Sequence, residues 1–252
     1  MLDIQKASMW KRISAYILDI ILLAIAAVGV AFLLSAALNF TGQFDKIDQI
    51  RVKYEAEYGV KFDITEEEYE KLSDEEKEKY DAADEALNVD NDFKYASDML
   101  IHLSSIILIF GLLAAYLITE VTVPLIFKNG QTVGKKIFGI AVIREDGVRL
   151  SPTALFIRTV LGKYTVETMV PILVSVVMLT GAMGYFGVTV LGIIVAAQLM
   201  LLFMTPNHQS IHDKFAGTVV VDLSSQLIFD SVEALLEYKN RLQEQKAKRS
   251  EK

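Results

Sequence analysis

The sequence predicts an all-α membrane protein: four transmembrane helices, a small cytoplasmic β-hairpin and a partly helical acidic insert outside the membrane. Three observations lead to this fold class: the composition, the separation of apolar from charged residues, and the opposite charges of two connecting segments. Hydrophobic residues make up 52% of the 252 residues, although 23% are charged. Residues 20–43, 99–119 and 168–209 nevertheless contain no Asp, Glu, Lys or Arg.

The predicted spans are residues 13–38, 98–127, 168–184 and 187–205. A helix needs about 20 apolar residues to cross the hydrocarbon core. The uncharged stretch 168–209 has 42 residues, so it must fold back on itself, and the glycines at 181, 184 and 187 favour a turn near its middle. The first span is too long for a signal peptide and has no convincing cleavage site, so we expect it to be retained.

The connecting segments predict the orientation. Residues 40–97 contain 8 Lys and Arg against 18 Asp and Glu, a net charge of −10, whereas residues 128–163 contain 7 against 2, a net charge of +5. Short loops rich in Lys and Arg remain in the cytoplasm. We therefore expect both termini and residues 128–163 on the cytoplasmic side and the acidic insert outside. These patterns predict a membrane domain made of residues 1–38 and 98–223, an insert at 39–97 and a tail at 224–252.

The acidic insert has one clear helix signal, a capping box formed by Thr65 and Glu68. It contains few large aliphatic residues and so can bury little surface by itself. It could be a calcium-binding or partner-binding domain, or simply a solvated pair of acidic helices. The absence of EF-hand spacing favours the second interpretation.

Residues 128–163 contain β-strand and helix signals. Residues 137–143 predict a strand, the Asp146-Gly147 pair predicts a tight turn, and residues 148–150 predict the returning strand of a hairpin. Residues 218–222 could add a further strand. Ser151 and Pro152 predict the start of an amphipathic helix that could lie along the membrane surface.

An arginine opening the first helix, an aspartate within it, the segment QTVGKKIFGIAVI and the later HDKFAGTVVV together resemble the RDD family of bacterial membrane proteins. The resemblance covers about residues 12–38 and 116–222 and leaves the insert outside the family pattern. It implies that Arg12, Asp19 and Asp213 are the signature residues and that the protein lies in the bacterial plasma membrane. Some members of the family have been proposed as sodium(lithium)/proton antiporters.

Four polar residues fall at one depth of the predicted spans. Counted from the cytoplasmic ends, Asp19, Glu120, Ser175 and Gln198 each lie about 10 Å inside at 1.5 Å per residue. If they face inward, two carboxylates and two neutral oxygen atoms could bind a hard cation or share a proton. Alternatively, Asp19 accepts hydrogen bonds from a neighbouring helix or from Arg158 and only stabilises helix packing.

The remaining polar residues indicate less chemistry. Lys135, Lys136, Arg158 and Lys163 could contact anionic lipid, although the positive-inside effect explains them equally well. The pair His212-Asp213 has neither a nearby Ser or Cys nucleophile nor a third metal ligand, so we expect no hydrolase and no metal centre. We expect no cofactor and no enzyme activity. The sequence has no cysteine and therefore no disulfide.

Two functions remain open. The first is a small secondary transporter, which we expect to be a homo-oligomer because four spans leave little room for a complete transport path. The second is a membrane scaffold or regulator whose insert or amphipathic tail, residues 225–252, binds another envelope protein. The lipid bilayer is a partner in both cases, and nucleic acid in neither.

Overall fold

The computed structural model describes residues 4–179, 181 and 183–250, which are mostly helical. In chain order the elements are α1 (Met9–Ala37), α2 (Phe40–Tyr58), α3 (Glu66–Glu70), α4 (Asp74–Val89), α5 (Asn91–Phe127), α6 (Val133–Ile137), β1 (Ile140–Arg144), α7 (Pro152–Leu179), α8 (Gly184–Met204), α9 (Ile211–Ala216), β2 (Thr218–Asp222) and α10 (Val232–Ser250).

Helices α1, α5, α7 and α8 are long and apolar enough to cross a membrane, so the four predicted spans are confirmed. Large apolar side chains on α1 and α8, among them Phe32, Leu33 and Phe203, are exposed. Apolar surface of this extent is expected to face lipid rather than water. The chain is therefore a multi-pass membrane protein.

The third span begins earlier than predicted. Ser151 caps it by accepting a hydrogen bond from the amide of Ala154, and the helix then continues without interruption from Pro152 to Leu179. Residues 152–161 are therefore continuous with the third span and do not form a separate helix. The prediction began the span at residue 168 because it assigned the charges at 158 and 163 to the cytoplasmic connection, whereas the structure pairs them inside the protein.

Two of the spans contain a stretch with π-helical hydrogen bonding. In α5 it covers Leu117–Thr122, and in α7 it covers Ile157–Met169. Such widened turns change which way side chains point and are frequent at functional sites. The first stretch carries Glu120. The second carries Arg158, Lys163 and Glu167, and Lys163 forms an ion pair with Glu120.

The small sheet pairs β1 with β2 in antiparallel register, with Ile140 opposite Asp222 and Arg144 opposite Thr218. The predicted tight turn is present, since Gly147 has φ +89° and the Arg144 amide donates to the Val148 carbonyl. The returning residues 148–150 form only one bridge to β1, between Ile143 and Arg149. The strand at 218–222, which we expected only as a possible third strand of the hairpin, is instead the main partner of β1. The apolar side chains of both strands are buried in this pairing.

Both faces of the sheet are covered. On one face Ile140, Val142 and Val220 pack with Ala7 and Ala15 from the start of the chain. On the other, a buried cluster of four residues, Ala141, Ile143, Val219 and Val221, packs with Ile4 and with Ile228 from the tail. Full burial of a Val or Ile side chain contributes roughly 1.5–3 kcal/mol. The sheet thus fixes the connection 128–139 against the first span.

The chain divides into two compact units. One runs from Gly29 to Gly111, and the other contains residues up to Val28 and from Leu112 onwards, including the tail. In the first unit, Thr65 and Glu68 form the predicted capping box, and Ser73 and Glu76 form a second one. The acidic insert is therefore largely helical.

Candidate functional site

Asp19 is held by the connection between the second and third spans. Its carboxylate, buried in α1, accepts hydrogen bonds from the Gly134 amide at 2.8 Å and from the Thr132 hydroxyl. The Lys135 ammonium lies 3.8 Å from the same carboxylate. The approach is close because residue 134 is glycine: a Cβ there would lie 2.4 Å from the Ala15 carbonyl oxygen. Asp19 thus binds the N-terminal end of the short helix α6 in this connection and neither a neighbouring span nor Arg158.

Glu120 lies on the other side of Lys135. Its Oε1 is 2.5 Å from the Lys163 ammonium, and its Oε2 is 3.9 Å from that of Lys135. Oε2 is buried and has no hydrogen-bond partner among the described residues. Lys135 is therefore an ammonium shared by two carboxylates, where the sequence predicted a shared proton or a bound cation. Burial, opposed by the charge of Glu120, lowers the pKa of Lys135 to about 8.

Of the other two members of the predicted polar layer, Ser175 and Gln198, only Gln198 lines the cavity. Ser175 is exposed and lies outside the cavity described below, so it is not part of this site. Its depth was counted from Thr168, whereas the span begins at Pro152, which places Ser175 much further along the helix. Gln198 does line the cavity, but its side-chain oxygen accepts a hydrogen bond from the Ile211 amide at 3.0 Å.

Asp213 is the centre of a second buried network. Its Oδ1 accepts from Arg158 Nε at 2.9 Å and from the Thr218 hydroxyl at 3.0 Å. Its Oδ2 accepts from the Ser210 hydroxyl at 2.8 Å and lies 3.7 Å from Arg12 Nη2. Burial raises the pKa of Asp213, but the opposite effect of Arg158 and Arg12 is larger, so the pKa lies well below its usual range. Asp213 thereby connects the first and third spans.

The predicted lipid contacts are largely incorrect. Lys135, Arg158 and Lys163 are buried and form the ion pairs described above, so they cannot reach lipid headgroups. Lys136 alone of the four is exposed, and its ammonium lies 3.7 Å from the centre of the Phe127 ring. The structural role of Lys135, Arg158 and Lys163 could not be recognised from the positive-inside pattern, because a count of charges does not distinguish paired from free cations.

A third set of contacts was missed at the sequence level. His212 Nδ1 is 2.8 Å from a carboxylate oxygen of Glu167, and His212 Nε2 is 2.8 Å from the Ser210 hydroxyl. The statement that His212 has no nearby serine was therefore wrong, and Ser210 could have been noticed two residues upstream. Glu167 gave no signal, since it lies 45 residues away in sequence. Burial and the charge of Arg158 lower the pKa of His212.

All three sets line one cavity of about 330 Å³. Apolar side chains form part of its wall, including Ile13, Leu202 and Val220. The charged residues at the cavity, with Glu120 behind them, are four cations and four acids: Arg12, Lys135, Arg158, Lys163, Asp19, Glu120, Glu167 and Asp213. Within residues 4–179, 181 and 183–250, no group of three or more His or acid side chains is arranged to hold a metal ion.

Fold and site together define a class: a multi-pass helical membrane protein in which paired charges and apolar side chains line one cavity. The chain belongs to the RDD family, whose family model matches residues 6–217. That range contains Arg12, Asp19 and Asp213, the residues that the resemblance implied as the family signature, and it also includes the insert, which we had expected to lie outside the pattern. No curated protein and no solved structure matches the chain.

Proposed function

We propose that the chain is a secondary transporter that exchanges a monovalent cation for protons, with Asp19 and Glu120 as the acids of its binding site. One observation carries the proposal: the Lys135 ammonium lies within 4 Å of both carboxylates, at 3.8 and 3.9 Å. The chain thus supplies its own monovalent cation at a position between two buried acids.

The exchange follows from competition between Lys135 and the transported ion. When Lys135 loses its proton, the two carboxylates lose one positive charge, and a monovalent cation entering from the cavity restores it. The net charge of the site is then the same before and after. This equality matters because an uncompensated charge in the membrane interior costs about 2.5–3.5 kcal/mol on insertion scales.

The proposal extends to orientation and assembly. The charge asymmetry supports both termini in the cytoplasm of a bacterial plasma membrane and the acidic insert outside. A homo-oligomer remains our expectation, because four spans enclose little volume for two access paths.

The test is an ion-flux assay in proteoliposomes that contain a pH-sensitive dye. Gradients of sodium, lithium or potassium should drive proton movement in the wild type. Asp19→Asn and Glu120→Gln keep the shape of each side chain but remove its charge, and each should abolish that movement.

Asp230→Asn is the matched control, because it removes a carboxylate from an exposed ion pair with Arg149. It should exchange ions as the wild type does. If Asp19→Asn and Glu120→Gln are folded and retain wild-type flux, the two carboxylates are not the transport site.

A further inference from the structure

Four side chains form an unbroken chain of hydrogen-bonding atoms along the cavity. Glu167 Oε2 and His212 Nδ1 are 2.8 Å apart, as are His212 Nε2 and Ser210 Oγ, and so are Ser210 Oγ and Asp213 Oδ2. Each of the four residues lines the cavity. Two carboxylates, one from α7 and one from α9, are therefore connected through an imidazole and a hydroxyl.

The number of protons in this array is informative. Three links each need one proton to be a hydrogen bond. With both acids ionised and His212 neutral, the imidazole and the hydroxyl supply only two protons between them. One link must then bring two lone pairs together at 2.8 Å. A single added proton fills all three links.

The added proton has no fixed owner. It makes His212 an imidazolium when the hydroxyl donates to Asp213. A concerted shift of the protons along the links places it instead on Glu167 or on Asp213. An array of this kind can accept a proton at one end and release another at the other end, with only the serine hydroxyl and the imidazole between them.

We propose that Glu167, His212, Ser210 and Asp213 are a proton relay that loads one proton beside the buried Arg12–Asp213–Arg158 network. The inference deepens the proposed exchange function and rests on it, because a proton loaded there adds one positive charge to the cavity, as the transported cation does. Glu167 is the entry end, since its side chain is 21% exposed and that of Asp213 is 1% exposed.

The surroundings of His212 set the pH at which the relay loads. Arg158 from α7 and Asp213 from α9 face the ring with opposite charges, and Lys163 and Tyr16 face Glu167. The Cα and Cβ of His212 pack tightly on α7, because a Cβ on Gly162 would lie 2.4 Å from the Cβ of His212. Burial and Arg158 keep the pKa of His212 low, so the relay is short of one proton at neutral pH and fills as the pH falls.

Of the positions open to the added proton, His212 is favoured over Asp213, because Arg158 and Arg12 keep the pKa of Asp213 well below its usual range. Protonated His212 places a positive charge beside Arg158, whose ion pair with Asp213 joins α7 to α9. A loaded relay thus changes the charge balance of the cavity, while the exchange at Asp19 and Glu120 changes its contents.

Two substitutions at Ser210 test the relay. Ser210 also caps α9, so alanine would remove both a cap and a relay atom. Ser210→Asn keeps a capping oxygen but places an amide, which cannot pass a proton, in the chain. Ser210→Thr keeps both the cap and the hydroxyl. In the proteoliposome assay, proton-coupled exchange should fall about a hundredfold with Ser210→Asn, the scale of a positioned proton-transfer group, and survive with Ser210→Thr.

A second measurement does not depend on transport. The chain has three histidines, so the ring-nitrogen NMR signals of His212 can be assigned by their loss in His212→Gln. We expect the pH midpoint of His212 to move in Ser210→Asn and in Glu167→Gln and to stay in Ser210→Thr.

The outcomes separate the two proposals. If the wild type moves no cations against protons, the exchange function fails, and the NMR titration alone decides on the relay. If the wild type exchanges and Ser210→Asn does so equally at every pH, the relay is overturned and the exchange stands. Covalent labelling of Ser210 by a fluorophosphonate would also overturn the relay, because it would show a nucleophile activated by His212.

Discussion

Asp213→Asn should be among the most destabilising conservative substitutions in this chain. It removes the charge that pairs with Arg158, a guanidinium whose side chain is 2% exposed, and leaves that buried cation without its ion-pair partner. The asparagine has nearly the same volume, so no cavity adds to the effect. Breaking a buried ion pair by removing one partner costs about 3–5 kcal/mol. At about 2–4 °C per kcal/mol for a chain of this length, the unfolding midpoint should fall by roughly 6–20 °C.

The assay is thermal unfolding in lipid nanodiscs, compared with Asp230→Asn as the matched control. The control removes a carboxylate whose side chain is 75% exposed, so it should cost no more than about 1 kcal/mol. Adding Arg158→Gln to Asp213→Asn should recover part of the loss, because the double variant removes the more deeply buried of the two arginines that lose Asp213 and leaves only Arg12 without its carboxylate. If Asp213→Asn unfolds at the same temperature as the control, Asp213 does not connect the first and third spans as described.

Three further predictions test other parts of the structure. Gly134→Ala should displace the loop from the first span and lower the unfolding midpoint, whereas Gly192→Ala, with no atom within 4 Å of the added Cβ, should not. Equal midpoints would contradict the close approach. A cysteine at Ser73 should react with an impermeant thiol reagent in intact cells and one at Thr153 should not; the reverse pattern would invert the orientation. Cation affinity should increase between about pH 7 and 9 as Lys135, with its pKa lowered to about 8, loses its proton, and Lys135→Met should remove that pH dependence.

Hydropathy predicted the four spans because a helix that faces lipid needs a long run of apolar residues, and such runs are visible in the sequence. Hydropathy placed the start of the third span too late, because Arg158, Lys163 and Glu167 interrupt the apolar sequence before residue 168. Their charges are tolerated there because acidic partners from other helices neutralise them. A count of charges along one segment contains no information about those partners. The misplaced start then moved Ser175 out of the predicted layer.

The candidate site was predictable only in part. Asp19 stood out because a carboxylate in an apolar helix needs a partner, and the antiparallel count brought Glu120 to a similar depth. Nothing in the sequence placed Lys135 between them, since the connection that carries it is positioned by the sheet and its Thr132 is 113 residues from Asp19 in sequence. The hydrogen bond between Glu167 and His212 could not be predicted either, because the two residues are 45 apart in sequence. Long-range pairing depends on how the spans pack, and spacing along the chain does not encode it.

The charge balance of the cavity constrains any mechanism that uses it. Four cations and four acids with a neutral His212 give no net charge, and each acid lies beside at least one cation or hydrogen-bond donor. Adding one ion without removing another would leave an unpaired charge in a medium that solvates it poorly. A cation can therefore enter at low cost only when a proton leaves, and a proton loaded on the relay favours the departure of a cation. In the proposed exchange, electrostatics would therefore supply the coupling, without a dedicated gate that forbids uncoupled movement.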